Sequence, residues 1–343
     1  MKSKIDFVIA WVDGNDPKWI ADRKKYENKE NQNLEKNKWS NGEVRYRDWD
    51  NLQYWFRGIE KFAPWVNKIY FVTYGHLPSW LNTAHPKLKV VHHDEFIPMK
   101  YLPTFQSPTI ECNLHRIAGI SEKFVYFNDD MFIIKKTKPT DFFVKGMPCD
   151  SAILNMTASI RDATNYEETS AAIINDHFKK NDVIYSNIKK WFNIKYFPQI
   201  IRTLLLLKWS SFNSFYQHHL PSSFLKVTFN EVWSLEEDIL NKTCVEKFRM
   251  PGRVSQYLFL DWQRVTGRFY PRSIRVGKCF QLGTLGATQY NQIEAACDYI
   301  RHQRGKMICL NDGELTNEKF LIEKELLQKA FESILANKSS YEK

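Results

Sequence analysis

The chain has 343 residues, of which 43% are hydrophobic and 26% charged, so it is large enough and apolar enough to bury a full core. Its longest aliphatic run, Leu204 to Leu207, is far shorter than the roughly 20 residues of a membrane-spanning helix. The formal net charge of +10 favours phosphorylated substrates or anionic lipid surfaces as partners, whereas no pattern of a DNA- or RNA-binding module is visible, so we expect no nucleic acid.

The first part of the chain alternates apolar, β-branched runs with helical stretches, which is the pattern of a mainly parallel sheet with helices on both faces. The predicted strands span 5–12, 68–74, 88–92 and 124–128, and the predicted helices span about 16–30, 50–62 and 108–119. We therefore expect an α/β fold of the Rossmann-like or GT-A-like type. The polar stretch from Glu27 to Asn41 predicts a mobile loop over that sheet.

The first strand, Ile5 to Val12, runs into Asp13-Gly14-Asn15-Asp16-Pro17. Gly14 would let the backbone approach a ligand, and a helix N-terminus beside a strand end suits a phosphate. An ordinary strand, turn and helix, with Asn15 or Asp16 as N-cap and Pro17 in the first turn, explains the same residues. The two interpretations are compatible.

A second apolar strand, Phe124 to Phe127, ends in Asn128, Asp129 and Asp130. Adjacent carboxylates beside an amide can hold a hard divalent cation, which in turn can hold a diphosphate. An Asp-Asp turn that caps the next element explains the run equally well.

A third strand, Met307 to Leu310, ends in Asn311 and Asp312 ahead of a helix from about 317 to 336. If the three strands belong to one parallel sheet, their carboxyl ends lie on one edge and the acidic residues converge. The repeated ending favours a ligand site over three unrelated turns.

Between about 160 and 220 the chain mixes basic and aromatic residues, as in Lys189-Lys190-Trp191-Phe192. Such a mixture suits a surface that lies against lipid headgroups or a glycan chain. A helical subdomain within one catalytic domain of 1–343, with the aromatic residues forming its own core, is at least as good an interpretation. From about 222 to 266 we expect a helical return.

Six cysteines are widely dispersed and show no Cys-x-x-Cys spacing. This spacing argues against a zinc site and a dense disulfide framework, so we expect free, buried thiols. The segment from Met1 to Lys4 leads directly into a strand pattern and lacks the apolar run of a signal peptide. We expect a cytoplasmic protein, peripheral at the inner face of the membrane.

Seven short segments resemble, in order, the four blocks of the Stealth family. That family contains bacterial capsular polysaccharide phosphotransferases and the catalytic subunit of the N-acetylglucosamine-1-phosphotransferase that marks lysosomal enzymes. The similarity extends from Asp6 to about Ser333. The segments are Trp11 to Pro17, Arg45 to Asp48, Ile69 to Thr73, Leu102 to Ser107 with Ile110 and Glu111, Phe127 to Asp130, His219 to Pro221 and Cys309 to Asp312.

The resemblance implies transfer of a sugar-1-phosphate from a nucleotide diphosphosugar, expected to be UDP-linked, to a hydroxyl of a growing capsular or cell-surface glycan. Attack at the phosphorus beside the sugar would release the nucleoside monophosphate and form a phosphodiester. The resemblance also implies Mg²⁺ or Mn²⁺ as cofactor, and it is consistent with peripheral contact to the membrane or to a capsule-assembly complex.

The resemblance also distributes roles among the residues. His219 is the candidate general base, since an alcohol acceptor must lose a proton, and His218 is its off-register neighbour. Candidate metal ligands are Asp129, Asp130, Asn311 and Asp312, with Asp130 also catalytic. Candidate residues for binding the donor are Asp13, Gly14, Asp16, Asn128 and Glu111.

Four arginines are candidates for phosphate contacts, because the guanidinium fork stabilises charge on non-bridging oxygens. We expect Arg47 and Arg249 to be catalytic, ahead of Arg45 and Arg57. A solvated surface arginine is the usual alternative.

His115, His92 and His93 are further candidates for contacts in the site. Glu111 and His115 are one helical turn apart, so we expect them to face the same side. Of His92 and His93, which end a strand, only one can face a given side of the sheet.

The chain departs from the animal members, because it lacks their large inserted recognition modules, so recognition of lysosomal enzymes is not expected. Gln106 stands where relatives often carry Asn, which leaves the polar contacts of that loop open. Two alternatives are a metal-dependent glycosyltransferase that releases UDP and a non-catalytic glycan- or membrane-binding protein. The second predicts loss of the acidic strand ends or of His219, and all are present.

Overall fold

The computed structural model describes residues 4–36, 46–157, 165–284 and 291–343. The strands in these ranges are β1 Ile5–Ala10, β2 Ile69–Thr73, β3 Leu88–His92, β4 Lys123–Phe127, β5 Met131–Ile133, β6 Phe143–Val144, β7 Met147–Asp150, β8 Leu154–Asn155, β9 Ser214–Phe215, β10 Ser222–Leu225, β11 Tyr270–Pro271, β12 Gly277–Gln281 and β13 Met307–Asn311. The helices are α1 Pro17–Lys36, α2 Leu52–Phe62, α3 Ser107–Asn113, α4 Tyr166–His177, α5 Lys180–Ser186, α6 Ile188–Trp191, α7 Ile200–Leu206, α8 Lys226–Leu235, α9 Glu237–Val245, α10 Gln256–Val265, α11 Ile293–Arg301 and α12 Asn317–Leu335.

A five-stranded sheet in the order β10-β4-β1-β2-β3 forms the centre of the fold. The strands β4, β1, β2 and β3 run parallel, and β10 joins antiparallel at one edge. The strands are apolar on both faces, as expected for a sheet covered on both sides.

Each face of this sheet is covered by helices. On one face, Phe7 and Ile9 belong to a core with Trp55 and Ile59 of α2. On the other face, Val8 belongs to a second core that includes α8 and α10. The α/β fold with a mainly parallel sheet and helices on both faces is therefore confirmed.

A second sheet has the order β12-β13-β5. Here β13 runs parallel to β12 and antiparallel to β5. The condition that all three strands belong to one parallel sheet is therefore not met. The physical reason is that β5 follows β4 after a turn of only three residues and offers β13 a partner outside the main sheet.

Several predicted boundaries differ in the structure. Helix α1 continues to Lys36, so the loop expected from Glu27 is wrong over 27–36, whereas 37–41 lie outside the described residues. Glu, Lys and Gln are good helix formers even where no apolar stripe marks the helix. The helix expected over 108–119 ends at Asn113, and the return expected to be helical begins with the strand β10.

The remaining predictions concern the cysteines and the helices of the basic segment. All six cysteines are free, and all except the half-buried Cys279 are buried. The helices α4 to α7 occupy 166–206, and their status as a separate subdomain stays a prediction. Over the ranges that the structure describes, no helix has the length and apolar character needed to cross a bilayer.

Candidate active site

A cleft of about 330 Å³ opens where the carboxyl ends of β1, β4 and β13 meet. Its floor includes Val12 after β1, Asn128 to Asp130 after β4, and Leu310 to Asp312 at the end of β13. Ligands of α/β folds collect at the carboxyl ends of parallel strands, because the loops there are free to diverge. The polar ends of β4 and β13 therefore share one cavity, although they come from two sheets, whereas the β1 end contributes the apolar Val12.

The turn Asn128 to Asp130 joins the two sheets. The Met131 N–H donates to the Asn128 carbonyl at 3.1 Å, which closes the turn. The Leu310 N–H donates to the Asp130 carbonyl at 2.9 Å, which fixes β13 beside it. Convergence of the acidic segments thus depends on the antiparallel pairing of β5 with β13.

His219 lies beside this turn. Its Nδ1 is 2.7 Å from the Tyr257 hydroxyl oxygen, and its Nε2 is 3.7 Å from Asp130 Oδ2. Burial alone would lower the pKa of His219, but the nearby Asp130 carboxylate outweighs it, so the pKa is raised. Its φ of +47° is in the left-handed region, which a histidine rarely adopts and which the surrounding contacts must hold.

His218 points away from the cleft. Its Nε2 is 2.8 Å from the Ser151 hydroxyl. Burial, with a smaller effect of the Arg272 charge, lowers the pKa of His218 to about 3, so the ring is neutral at physiological pH. Only the second histidine of the pair faces Asp130.

Cys309 is the third member of a compact donor cluster with Asp130 and His219, whose ligand atoms lie within 4.8 Å of one another. Its thiol lies 3.4 Å from Asp130 Oδ2. A mixed oxygen, nitrogen and sulfur set can hold a borderline transition metal, whereas Mg²⁺ prefers oxygen ligands alone. Cys309 can therefore take part in a metal site although the sequence has no Cys-x-x-Cys spacing.

Two buried oxygen atoms of the turn Asn128 to Asp130 lack a hydrogen-bond partner among the described residues. Asn128 Oδ1 and Asp130 Oδ1 are buried and accept no hydrogen bond within the described part of the chain. A buried acceptor without a partner is costly, and a bound cation would satisfy both. Asn128 and Asp130 therefore fit a cation.

Asp129 adds negative charge at the same turn. Its side chain stays open to solvent, yet the surrounding cleft walls desolvate it, and together with the charges of Asp130 and Asp48 they raise the pKa of Asp129 to about 7. The pKa of Asp48 is also raised, chiefly by burial. A cation between these carboxylates would relieve their repulsion.

Asp312 already has a positively charged partner. Arg47 binds it with two contacts, Nη2 to Oδ1 at 2.6 Å and Nε to Oδ2 at 3.1 Å. Burial raises the pKa of Asp312 even so. The neighbouring Asn311 amide donates to Gln281 Oε1 at 2.7 Å. Both strand-end residues line the cleft; the Asp312 carboxylate is engaged by Arg47, whereas the Asn311 bond uses only the amide nitrogen.

Another wall of the cleft carries Glu111 and Arg249. Glu111 is buried on α3 and accepts the Gln256 backbone N–H at 3.0 Å. Burial raises the pKa of Glu111, while the Gln256 bond and the Arg249 charge act in the opposite direction. Arg249 donates to the Ser107 hydroxyl at 3.2 Å. Arg249 thus adds a second positively charged side chain, in addition to Arg47, to the acidic cleft.

The N-terminal candidates have local structural contacts. Asp13 accepts the Asn15 N–H, and Asp16 Oδ1 accepts the Trp19 N–H at 2.7 Å, as an N-cap does. A Cβ on Gly14 would lie 2.0 Å from the Tyr46 carbonyl oxygen, so this backbone approach admits glycine only. None of Asp13, Gly14 and Asp16 is among the described residues that line the cleft, and their binding of the donor stays a prediction.

Of the other two candidate arginines, only Arg57 is described, and it does not line the cleft. Arg57 pairs with Glu342 at 2.7 Å, on a different part of the surface from the cleft lining. Arg45 lies outside the described residues.

Of the remaining histidines, His115 packs in the core and His93 lines the cleft. His115 packs against Phe229 and Trp233, and burial lowers its pKa to about 3. The expectation that it faces the same side as Glu111 is wrong, because α3 ends at Asn113, before His115. His93 lines the cleft.

Three residues at the site had no assigned role from the sequence. Asp48 follows Arg47 in the segment Arg45 to Asp48, which resembles a family block, and this is the sequence signal that could have placed it in the site. Tyr257 lies within a predicted helix and Cys309 within an apolar strand, and both patterns are typical of core residues. Only the packing of α10 and the pairing of β13 bring them to His219 and Asp130.

Comparison with known proteins gives consistent results. Residues 3–31 match Stealth protein CR1, conserved region 1, and residues 45–149 match Stealth protein CR2, conserved region 2. The chain is 40% identical to the capsular polysaccharide phosphotransferase WcwK of Streptococcus pneumoniae, over 99% of this chain and 98% of the relative. It is 36% identical to the exopolysaccharide phosphotransferase cps2G of Lactiplantibacillus plantarum, over 99% and 96%. The solved galactosyltransferase LgtC aligns over 98% of both chains with 9% identity and a TM-score of 0.38, a likeness too weak to bear on function.

Proposed function

The chain belongs to the Stealth family, and from that membership we propose that it transfers a sugar-1-phosphate from a UDP-linked sugar to a hydroxyl of a growing glycan. It is a phosphotransferase of capsular or exopolysaccharide synthesis, because relatives that match it over their full lengths carry that activity in their names. The proposal also includes UDP as the donor nucleotide, a glycan hydroxyl as the acceptor, and a peripheral location of the protein at the inner face of the membrane.

The reaction forms one bond and breaks one bond at phosphorus. The acceptor oxygen attacks the phosphorus that carries the sugar, the bridging oxygen to the second phosphorus leaves with UMP, and the hydroxyl proton goes to His219. If Nδ1–H donates to Tyr257, the lone pair of Nε2 faces Asp130 and the cleft. The Asp130 carboxylate then stabilises the imidazolium that forms.

Charge on the diphosphate must be neutralised, since phosphoryl transfer depends on positioning and electrostatics more than on covalent chemistry. Asn128, Asp129 and Asp130 are the residues that would hold Mg²⁺ or Mn²⁺. Such a cation, when bound, supplies charge neutralisation for the diphosphate. Asp312 acts as an outer neighbour, because Arg47 occupies its carboxylate, whereas Asn311 uses only its amide nitrogen toward Gln281 and keeps its side-chain oxygen as a candidate ligand.

Arg249 is the proposed contact to the non-bridging oxygens of the transferred phosphate, and Glu111 positions the segment that bears Gln256 and Tyr257. Arg47 lies at the end of β13. It either contacts the donor phosphate directly or positions Asp312, with which it forms an ion pair. The single observation that carries the proposal is the His219 imidazole lying between Tyr257 and Asp130 in the same cleft as the acidic turn.

The test is nucleotide release by the full chain with a UDP-sugar, Mg²⁺ or Mn²⁺ and an oligosaccharide primer. We expect UMP from the wild type and a loss of roughly 10²- to 10⁴-fold in His219→Ala, as for a positioned base. The exposed His302 provides the control, and His302→Ala should keep the wild-type rate.

Two outcomes would contradict the proposal. Release of UDP would identify a glycosyltransferase, in which the sugar–oxygen bond breaks instead. Unchanged turnover in His219→Ala and in Asp130→Ala would remove both residues from the mechanism.

A further inference from the structure

The segment 185–209 exposes an unusual amount of apolar surface. Nine of the seventeen exposed large hydrophobic side chains in the described ranges fall within it. We refer to them as the apolar patch, which consists of Tyr185, Ile188, Ile194, Phe197, Ile201, Leu204, Leu205, Leu207 and Trp209. A soluble surface usually scatters such residues singly, so this concentration indicates a contact surface.

Helix α7 shows the orientation of this surface. It buries Thr203 and Leu206, and the Thr203 hydroxyl accepts the Leu154 N–H at 3.0 Å. Its opposite side presents Ile201, Leu204 and Leu205, which are 49%, 52% and 68% exposed. A helix with one solvent face normally carries polar residues there, whereas α7 exposes three aliphatic residues and a single arginine, Arg202.

The apolar patch is held on a folded support. Trp191 and Tyr196 are fully buried beneath it. The buried Lys180 ammonium donates to the carbonyls of Leu206, Leu207 and Trp209, which caps the end of α7. The exposed residues are therefore presented by a packed structure, and they remain exposed with the segment fully folded.

All charged side chains of the segment 185–209 are positive. Residues 185–209 contain five basic side chains and no acidic one. Lys189 and Lys208 are exposed beside the patch. Basic residues around an apolar face are typical of surfaces that insert shallowly into anionic bilayers.

A basic groove borders the patch. Lys195, next to the exposed Ile194, lines a groove of about 470 Å³ together with Lys135, Arg272 and Arg275. The Nη1 atom of Arg272 is buried and has no hydrogen-bond partner in the described ranges, and Arg272 lines this groove as well as a smaller cavity beside His218. The groove can therefore accept phosphate groups beside the apolar surface.

We propose that the apolar patch docks on an anionic phospholipid bilayer, with its side chains among the acyl chains and the basic groove against lipid phosphates. The surface is linked to the proposed site, because β8 contacts α7 through Leu154 and pairs with β9, which ends four residues before His219. Docking would hold the cleft near acceptors carried by the membrane.

The test is flotation of the full chain with vesicles of phosphatidylcholine alone or with about 30% phosphatidylglycerol. We expect binding to the anionic vesicles and little to the neutral ones. The triple variant Ile201→Ser, Leu204→Ser, Leu205→Ser should lower the partition coefficient at least about tenfold. Lys189→Gln with Lys208→Gln should also lower it about tenfold or more, because each basic residue near the surface contributes.

The matched control is Leu321→Ser with Ile322→Ser, which removes two equally exposed apolar residues of α12 and should leave vesicle binding unchanged. Circular dichroism establishes that each variant is folded. UMP release with a soluble primer is measured separately, so failure of docking leaves the proposed reaction standing.

Three results would overturn the proposal. The first is a folded triple variant that binds anionic vesicles as well as the wild type. The second is displacement by inorganic phosphate at constant ionic strength, which would identify a phosphate site alone. The third is a wild-type dimer that ignores vesicles and becomes a monomer in the triple variant, since the patch would then be an interface between copies.

Discussion

The hydroxyl of Tyr257 is predicted to hold His219 in its reactive orientation. The substitution Tyr257→Phe removes the oxygen that lies 2.7 Å from Nδ1 and keeps the ring and its packing. A single hydrogen bond contributes about 1 kcal/mol net, which corresponds to about a fivefold change in an equilibrium or a rate. We therefore expect kcat to fall about fivefold with little change in KM.

The assay is UMP release over a range of pH, combined with ¹⁵N spectra of the histidine rings. If Tyr257 fixes the tautomer, the variant should show a mixture of Nδ1–H and Nε2–H forms at His219. The control is Tyr101→Phe, which removes a buried tyrosine hydroxyl that bonds Asn241 outside the cleft. It should lower stability by a similar amount and leave kcat unchanged.

Two results would refute this reasoning. An unchanged kcat and an unchanged tautomer would show that Tyr257 does not orient the ring. A loss of about 10³-fold or more would exceed what one positioning hydrogen bond supplies and would place the Tyr257 hydroxyl in the chemistry itself.

Three further predictions concern charges around the cleft. Asp130→Asn should lower the pKa of His219, since burial then acts without the carboxylate, so the ¹⁵N titration midpoint moves to lower pH; an unmoved midpoint would contradict the pairing. Arg47→Met should cost about 2 kcal/mol in urea unfolding, less than for a fully buried pair, because Asp312 loses its partner while half-buried. Burial raises the folded pKa of Asp312, so this deficit should be present near pH 7 and shrink as Asp312 is protonated, and a pH-independent deficit would argue against it. Mn²⁺ should raise the Tm of the wild type and of Asp298→Asn but not that of Asp130→Asn, whereas equal shifts in all three would exclude the proposed ligand.

The main sheet could be predicted from the sequence because its strands are short apolar runs with sharp polar ends. Ile69 to Thr73 is buried throughout and was recognised by that pattern. The polar half of α1 was missed, since the pattern of 27–36 has no apolar period and its helix depends on propensity. Apolar periodicity identifies only elements that bury a face.

The site was predictable in part for a similar reason. The polar residues after β4 and β13 mark strand ends whatever sheet they belong to, so Asp130 and Asp312 were found. Which sheet holds β13 depends on its antiparallel partner β5, and no local pattern encodes that pairing. The thiol of Cys309 reaches Asp130 only through this pairing, and its surroundings in the sequence are those of a core residue.

The most direct measurement follows the phosphorus atom that carries the sugar. A UDP-sugar labelled with ³²P at that phosphorus is incubated with the full chain, a divalent cation and a primer, and the products are separated. We predict that the label appears in the glycan and that the released UMP is unlabelled. Label retained in released UDP, with an unlabelled glycan, would contradict sugar-1-phosphate transfer.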